Sequence, residues 1–302
     1  MKGASVVPVV GGSGQALRLP TRILWAVERR PRLYYLTYYH FSGHLPSMSS
    51  FHENYMADCT IVKEYGNIAI KVVNMNACMR AGIERKVRPK CSVNDSKLND
   101  NLSRAKSHVK ELALCNVWDF WCTFTIAPQK YDRYNLKDFQ RDFSEFIHNY
   151  NRRTKEEQKV RYLLVPELHK DGAWHMHGFI RGIRPNDLYV NSYGYLTWRS
   201  YEERFGFISM DAIKNLTAAA NYITKYITKG FYNSGIELNA HMYYCSKGLN
   251  KAKTLYKGYA RVTCDWDYED ENGYVRVKWF DKTPDGIMEL VNSVELVTPQ
   301  SI

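Results

Sequence analysis

"GAWHMHGFI", residues 172–180, sets two histidines one residue apart within a run of bulky apolar side chains. A strand that only fills a core gains nothing from imidazoles at these positions, where Val or Ile packs better. The alternation has period two, so on a β-strand His175 and His177 leave one face while Trp174 and Met176 leave the other. Immediately upstream, "VRYLLVPELH" (160–169) reads as a second strand and "KDGA" (170–173) as the turn that joins the two. That hairpin brings Glu167 within reach of His175 or His177 across the strands, giving two imidazoles and one carboxylate on one face. A mixed nitrogen and oxygen set of this kind suits a divalent cation that keeps positions open for a phosphate and water. His169 shares the parity of Glu167 and is a lesser candidate for the third donor.

Working outward, "WDFWCTFTIAP" (118–128) has the aromatic and β-branched content of a buried strand stopped by Pro128. "NLKDFQRDFSEFIHNYNRR" (135–153) repeats Leu136, Phe139, Phe143, Phe146 and Ile147 at helical spacing, an amphipathic helix with a basic end. Strand, helix, strand and hairpin in this order predict an α+β fold, a sheet with helices on one side. Earlier in the chain, "TIVKEYGNIAIKVV" (60–73) reads as two short strands around a Tyr-Gly-Asn turn, and "ERKVRPKCSVNDSK" (84–97) as a polar linker. "NDNLSRAKSHVKELALCN" (99–116) places Leu102, Ala105, Val109 and Leu112 on one helical face, with Asn or Asp to cap it.

A second chemical constellation lies in "NLTAAANYITKYITKG" (215–230). At ~100° per residue, Tyr222, Lys225, Tyr226 and Lys229 share one arc of the helix, while Leu216, Ala220, Ile223 and Ile227 share another. The second arc packs and the first presents phenols and ammoniums. Asn215 or Thr217 caps the start, and Gly230 is the expected stop. A phenol with a pKa near ~10 is a poor nucleophile at neutral pH unless a cation stabilises the phenolate, and a Lys on the same face supplies one. Cation donors, phenols and ammoniums together meet the needs of phosphodiester transesterification: charge is withdrawn from the non-bridging oxygens, a Tyr attacks phosphorus, and a 3′ oxygen departs.

The composition agrees with a polyanionic partner. The 302-residue chain carries a net charge of +11, and clustered Lys and Arg gain by releasing counterions from a phosphate backbone. Its 23 Tyr and 7 Trp add rings able to stack on unpaired bases, beyond those that fill the core. The seven cysteines form no Cys-x-x-Cys pair, which argues against a disulfide framework and against a structural zinc cage and favours a cytosolic setting. No apolar run is long enough to span a bilayer, and the N-terminal stretch is too short for a signal peptide.

Three segments carry a family resemblance. "FWCTFTIAP" resembles the first strand motif, "WHMHGF" the His-hydrophobic-His motif and "YITKYITK" the tyrosine helix of the HUH endonucleases, the replication initiators of rolling-circle plasmids and single-stranded DNA phages. The likeness covers about residues 101–250, and the doubled Tyr-x-x-Lys is similar to phage-type initiators that use two tyrosines in turn. "YYCSKGLNKAK" (243–253) is similar to a stretch that follows the tyrosine helix in related initiators. The resemblance implies a central antiparallel β-sheet flanked by helices. It implies a divalent ion, Mg2+ or Mn2+, held by His175, His177 and Glu167, with Tyr222 and Tyr226 as nucleophiles assisted by Lys225 and Lys229. The expected products are a 5′-phosphotyrosyl enzyme and a free 3′ hydroxyl that primes rolling-circle replication in the cytoplasm of a bacterial host.

On this reading residues 1–57, which include the basic and aromatic patch "RRPRLYYLTYY", form a poorly ordered arm, with Met56 a second candidate start. Residues 58–253 form the nicking domain. Residues 254–302 form an extension containing a hairpin over Asn272 and Gly273 in "DYEDENGYVRVKWF". No Gly-x-x-x-x-Gly-Lys-Ser/Thr occurs, so a host helicase and polymerase are the expected partners, together with single-stranded DNA at a replication origin and no membrane. Two other functions remain open at this point: a transposase or relaxase with the same chemistry, and a single-stranded nucleic-acid-binding protein without catalysis.

Overall fold

The computed structural model describes the backbone of residues 55–56, 59–75, 78–79, 95–233, 241–271 and 273–296, with side chains for 59–75, 101–228, 241–271 and 273–295. In chain order the strands and helices are β1 (Tyr55–Met56), β2 (Cys59–Tyr65), β3 (Ala69–Met75), β4 (Cys78–Met79), α1 (Asp95–Leu114), β5 (Phe120–Thr125), α2 (Leu136–Asn151), β6 (Arg161–Leu168), β7 (Trp174–Arg181), β8 (Leu188–Val190) and β9 (Leu196–Trp198). Then follow α3 (Arg199–Arg204), β10 (Ile208–Ala212), α4 (Leu216–Asn233), β11 (Tyr244–Cys245), β12 (Lys253–Val262), β13 (Tyr268–Glu269), β14 (Val275–Asp281), α5 (Pro284–Ser293) and β15 (Val294–Leu296). The N-terminal arm up to residue 54 and most of the expected linker at 84–97 lie outside the described residues.

The α+β class is as expected. A seven-stranded sheet runs in the order β11-β6-β7-β5-β10-β9-β8, every pair antiparallel. Its two faces are covered by different helices, which corrects the expectation of helices on one side. Phe139, Phe143 and Phe146 of α2 and Tyr201 of α3 pack on Cys122, Phe124, Leu164, Met176 and Ile180. Val109 and Leu112 of α1 and Ala220, Ile223 and Ile227 of α4 pack on Leu163, Val165 and Phe179. The reason lies in the strands themselves: "YLLV" (162–165) is apolar at successive positions, so neither face of β6 can be left to water. Each fully buried Phe contributes about 1.5–3 kcal/mol by leaving water.

Local signals explain the helix limits. Asn135 accepts from the Asp138 N–H at 3.1 Å and caps α2, and Asn215 accepts from the Ala218 N–H at 2.8 Å and caps α4. Gly230 does not end α4, which continues to Asn233; one glycine within a helix costs only about 1 kcal/mol against Ala and does not stop it. In β7, Gly178 lies so close to β6 that a Cβ there would sit 2.0 Å from the Leu163 carbonyl oxygen. Only glycine lets the two central strands approach at this point.

A second sheet has the order β13-β14-β3-β2-β12-β15. The hairpin read at 60–73 is β2 and β3, and the hairpin read around Gly273 is β13 and β14, whose register pairs Tyr268 with Val277. Strands from both sides of residue 253 share this sheet, since β12 pairs with β2 and β14 with β3. The buried Thr60 and Asn74 are satisfied within it: Asn74 donates to the Thr60 hydroxyl at 2.9 Å, and that hydroxyl donates to the Ala260 carbonyl at 3.0 Å. Tyr65 joins the core around α1, so this sheet and the first share a layer.

Candidate active site

The site is built on the sheet face covered by α1 and α4. Along β7 the alternation sends Met176 into the α2 core, with Trp174 packed against it, and turns His175 and His177 to the other face. Cross-strand register sets Glu167 directly opposite His175 on β6 and, on the other side, Thr125 opposite His175 and Thr123 opposite His177 on β5. The carboxylate leans toward the second histidine: Glu167 Oε2 is 2.8 Å from His177 Nε2. Each imidazole also meets a threonine, with Nδ1 of His177 3.2 Å from Thr123 Oγ1 and Nδ1 of His175 3.2 Å from Thr125 Oγ1.

These threonines fix the chemistry of the rings. With Nδ1–H donated to the hydroxyl, Nε2 carries the lone pair, the arrangement a metal-binding histidine needs. A lone pair at 2.8 Å from a carboxylate is stable only with a positive charge between them, a proton or a cation. Burial, followed by the field of His169, lowers the pKa of His175, which favours its neutral, ligating form. His169 itself is exposed and turned to Asp171, its Nδ1 3.3 Å from the carboxylate, with its ring 5.2 Å from that of His175. Among the described residues no group of three His, Cys, Asp or Glu side chains already encloses a metal ion. The donor types nonetheless fit one: two imidazoles held by threonines and a carboxylate on the same sheet face, with the Glu167 to His177 contact as the place where a cation replaces a proton.

Helix α4 lies over this face. Its Ala220, Ile223 and Ile227 are buried as the periodicity predicts, and Tyr222 is 46% exposed with Lys225 Nζ 5.4 Å from its ring centroid. Tyr226 departs from expectation: it is 8% exposed, not presented to solvent. The cause is the partner beneath it. The His177 ring stacks on Tyr226 with centroids 4.1 Å apart and planes at 13°, and the Tyr226 hydroxyl donates to that of Tyr222 at 3.1 Å. Burial, then the Tyr222 hydroxyl, raises the Tyr226 pKa well above the usual phenol value. Trp121 of β5 completes the aromatic set, 5.7 Å from Tyr222 and 6.3 Å from Tyr226 between centroids. Lys229 lies on α4, and its side chain is outside the described residues.

Sequence reading missed Thr123, Thr125 and Trp121. The alternation of "WCTFT" (121–125) was the available signal, since it puts these three on one face of β5.

Residues 119–231 match the family model of the replication-associated protein of the ORF2 type. The matched segment runs from the residue before β5 into the last turn of α4 and contains every residue of the site just described. Its likeness to that family supports a replication initiator. No curated protein and no solved structure matches the chain.

Proposed function

We propose that this protein starts replication by nicking single-stranded DNA at an origin, through metal-assisted attack of a tyrosine on a phosphodiester. The observation that carries the reading is the stacking of Tyr226 on His177 with Tyr222 hydrogen-bonded beyond it, because it sets a nucleophile helix directly on the strand of metal donors. His175, His177 and Glu167 would hold the divalent ion, Mg2+ or Mn2+, which supplies charge stabilisation to the non-bridging oxygens. Tyr222, the exposed phenol, makes the attack: its oxygen bonds to phosphorus as its proton leaves, the bond from phosphorus to the 3′ oxygen breaks, and that oxygen takes up a proton. The products are a 5′-phosphotyrosyl protein and a 3′ hydroxyl primer. Lys225 beside Tyr222 offsets the phenolate charge, and Lys229 is assigned the same task toward Tyr226.

Tyr226 gives up its proton less readily and is placed to act after Tyr222 is occupied, in the rejoining step of a rolling circle. Host helicase and polymerase would extend the primer in the bacterial cytoplasm. No described helix is long and apolar enough to cross a membrane. The test is incubation of the purified chain with the single-stranded form of the replicon that encodes it, in the presence of Mn2+, followed by a denaturing gel. A labelled adduct at one position supports the reading. Tight binding with no adduct under any divalent ion makes the protein a non-catalytic single-strand binder.

A further inference from the structure

The second sheet carries a row of residues that the nicking chemistry leaves unused. Lys63 of β2 stands directly opposite Lys71 of β3, and Lys71 directly opposite Trp279 of β14, so all three share one face. Lys110 of α1 reaches the same indole: its Nζ lies 4.2 Å from the ring centroid and that of Lys71 lies 5.3 Å away. Tyr65 braces the edge of the ring with centroids 4.9 Å apart. The three lysines and the indole are all half-buried and open to solvent on one side.

Neighbouring lysines on this sheet are paired. Lys278 faces Asp267 at 3.5 Å and Lys282 faces Glu64 at 2.6 Å. No such ion pair is made by Lys63, Lys71 or Lys110 among the described residues, and Glu111, one residue along α1, is engaged by the Ala252 N–H at 3.0 Å. Burial first, then the charges of Lys110 and Lys63, bring the Lys71 pKa down to about 8, and burial also lowers that of Lys110. Cation–π contact with the indole holds these ammoniums without neutralising them. Like charges gathered this way are relieved by an anion.

We propose that Lys63, Lys71 and Lys110, gathered on Trp279, form a second nucleic-acid contact that takes the phosphodiester backbone of single-stranded DNA away from the bond being cut. The proposal rests on the nicking reading for its choice of anion: the molecule already handles a DNA strand, and a strand held at two places is fixed in register while one bond is broken. All four residues lie outside the segment 119–231 that matches the replication-associated family, so the contact would belong to the parts of this chain at 59–75, 95–114 and 253–281.

The probe is fluorescein-labelled oligo(dT), long enough to span both sites, read by anisotropy over a salt series with the full chain. The double variant Lys71→Gln, Lys110→Gln is expected to flatten the plot of log affinity against log salt by about 1–1.5 and to weaken binding roughly tenfold at moderate salt, since each lost phosphate contact on a single strand removes ~0.7 from the slope. Lys71→Arg with Lys110→Arg keeps the charges and is expected to bind as wild type, which separates lost charge from lost folding. An unchanged slope and affinity in the Gln variant overturns the proposal. So do equal losses for a labelled poly-glutamate peptide, which mark a general anion patch. A covalent-adduct assay on a short oligonucleotide runs in parallel: a flattened slope with no adduct even in wild type upholds this contact while the nicking reading fails, and wild-type adduct with an unchanged slope fails the contact alone.

Discussion

The imidazole of His177 lies against the ring of Tyr226, 4.1 Å between centroids, while its Nε2 meets the Glu167 carboxylate at 2.8 Å. One side chain therefore joins the donor strand to the tyrosine helix. His177→Ala removes both contacts at once. Nicking is expected to fall below detection, with a stability loss of about 1–2 kcal/mol from the missing ring stack and the missing contact to the carboxylate. Single-strand affinity is expected to stay within about threefold, because it comes mainly from basic groups. Gel cleavage, anisotropy and thermal melting read the three effects, and a variant that still nicks at wild-type rate in metal-free buffer removes His177 from the chemistry.

Thr123 and Thr125 give a subtler prediction. Thr125→Val keeps the shape of the side chain and deletes the hydroxyl 3.2 Å from His175 Nδ1. If that hydroxyl fixes the ring, the variant needs about 10–100-fold more metal for half-maximal nicking, with the rate at saturating metal close to wild type. A titration with Mn2+ measures it. Equal metal dependence in the two proteins assigns Thr125 to the sheet alone.

Much of this site is legible in the sequence because it depends on local period. The two-residue alternation of "WHMH" settles which residues face the helices, and the helical spacing of Tyr222 and Tyr226 puts both phenols on one side. What period cannot convey is what lies opposite. Tyr226 is buried because His177, far earlier in the chain, supplies a flat partner, and the threonines matter only through strand register. The second sheet was legible as two separate hairpins, yet its assembly joins Thr60 to Ala260 across 200 positions, a pairing that no local pattern encodes. The helices on both faces follow from apolar residues on both sides of β6, a pattern that was present in "YLLV".

The two tyrosines differ in exposure and are expected to differ in function. Tyr222→Phe should reduce first-strand adduct at least about tenfold, since the exposed phenol beside Lys225 is gone and the buried Tyr226 ionises less readily. Tyr226→Phe should leave the first adduct near wild type and impair rejoining, and the double variant should give no adduct. A labelled suicide oligonucleotide on denaturing gels distinguishes the cases. Wild-type first adduct in Tyr222→Phe reverses the assignment, and full rejoining in Tyr226→Phe ends the two-nucleophile scheme.

Gly178 tests the packing of the donor strand. In Gly178→Ala the new methyl would meet the Leu163 carbonyl at 2.0 Å, and the backbone of β6 or β7 must shift to admit it. A destabilisation of about 1–3 kcal/mol or more is expected, lowering Tm by several degrees, together with loss of nicking as the histidines move from their threonines. An unchanged Tm means the strands separate at no cost.

Lys71 sets the pH dependence of stability. Its pKa is about 8 in the folded protein, with burial as the main cause, against an ordinary value of 10.5. Below about pH 8 both the folded and the unfolded chain hold this proton, and the folded state bears the full cost of a buried charge. Between about 8 and 10.5 the unfolded chain binds the proton more than the folded one does, so this residue makes stability rise with pH across that window. Above it both forms are neutral and the contribution is constant. Lys71→Met, which keeps the aliphatic stem against Trp279 and removes the titration, is expected to be more stable than wild type at pH 7 and to converge with it toward about pH 10. Urea unfolding at a series of pH values measures the difference, and parallel curves for the two proteins would show that Lys71 is not held in the half-buried position that its contact with the indole requires.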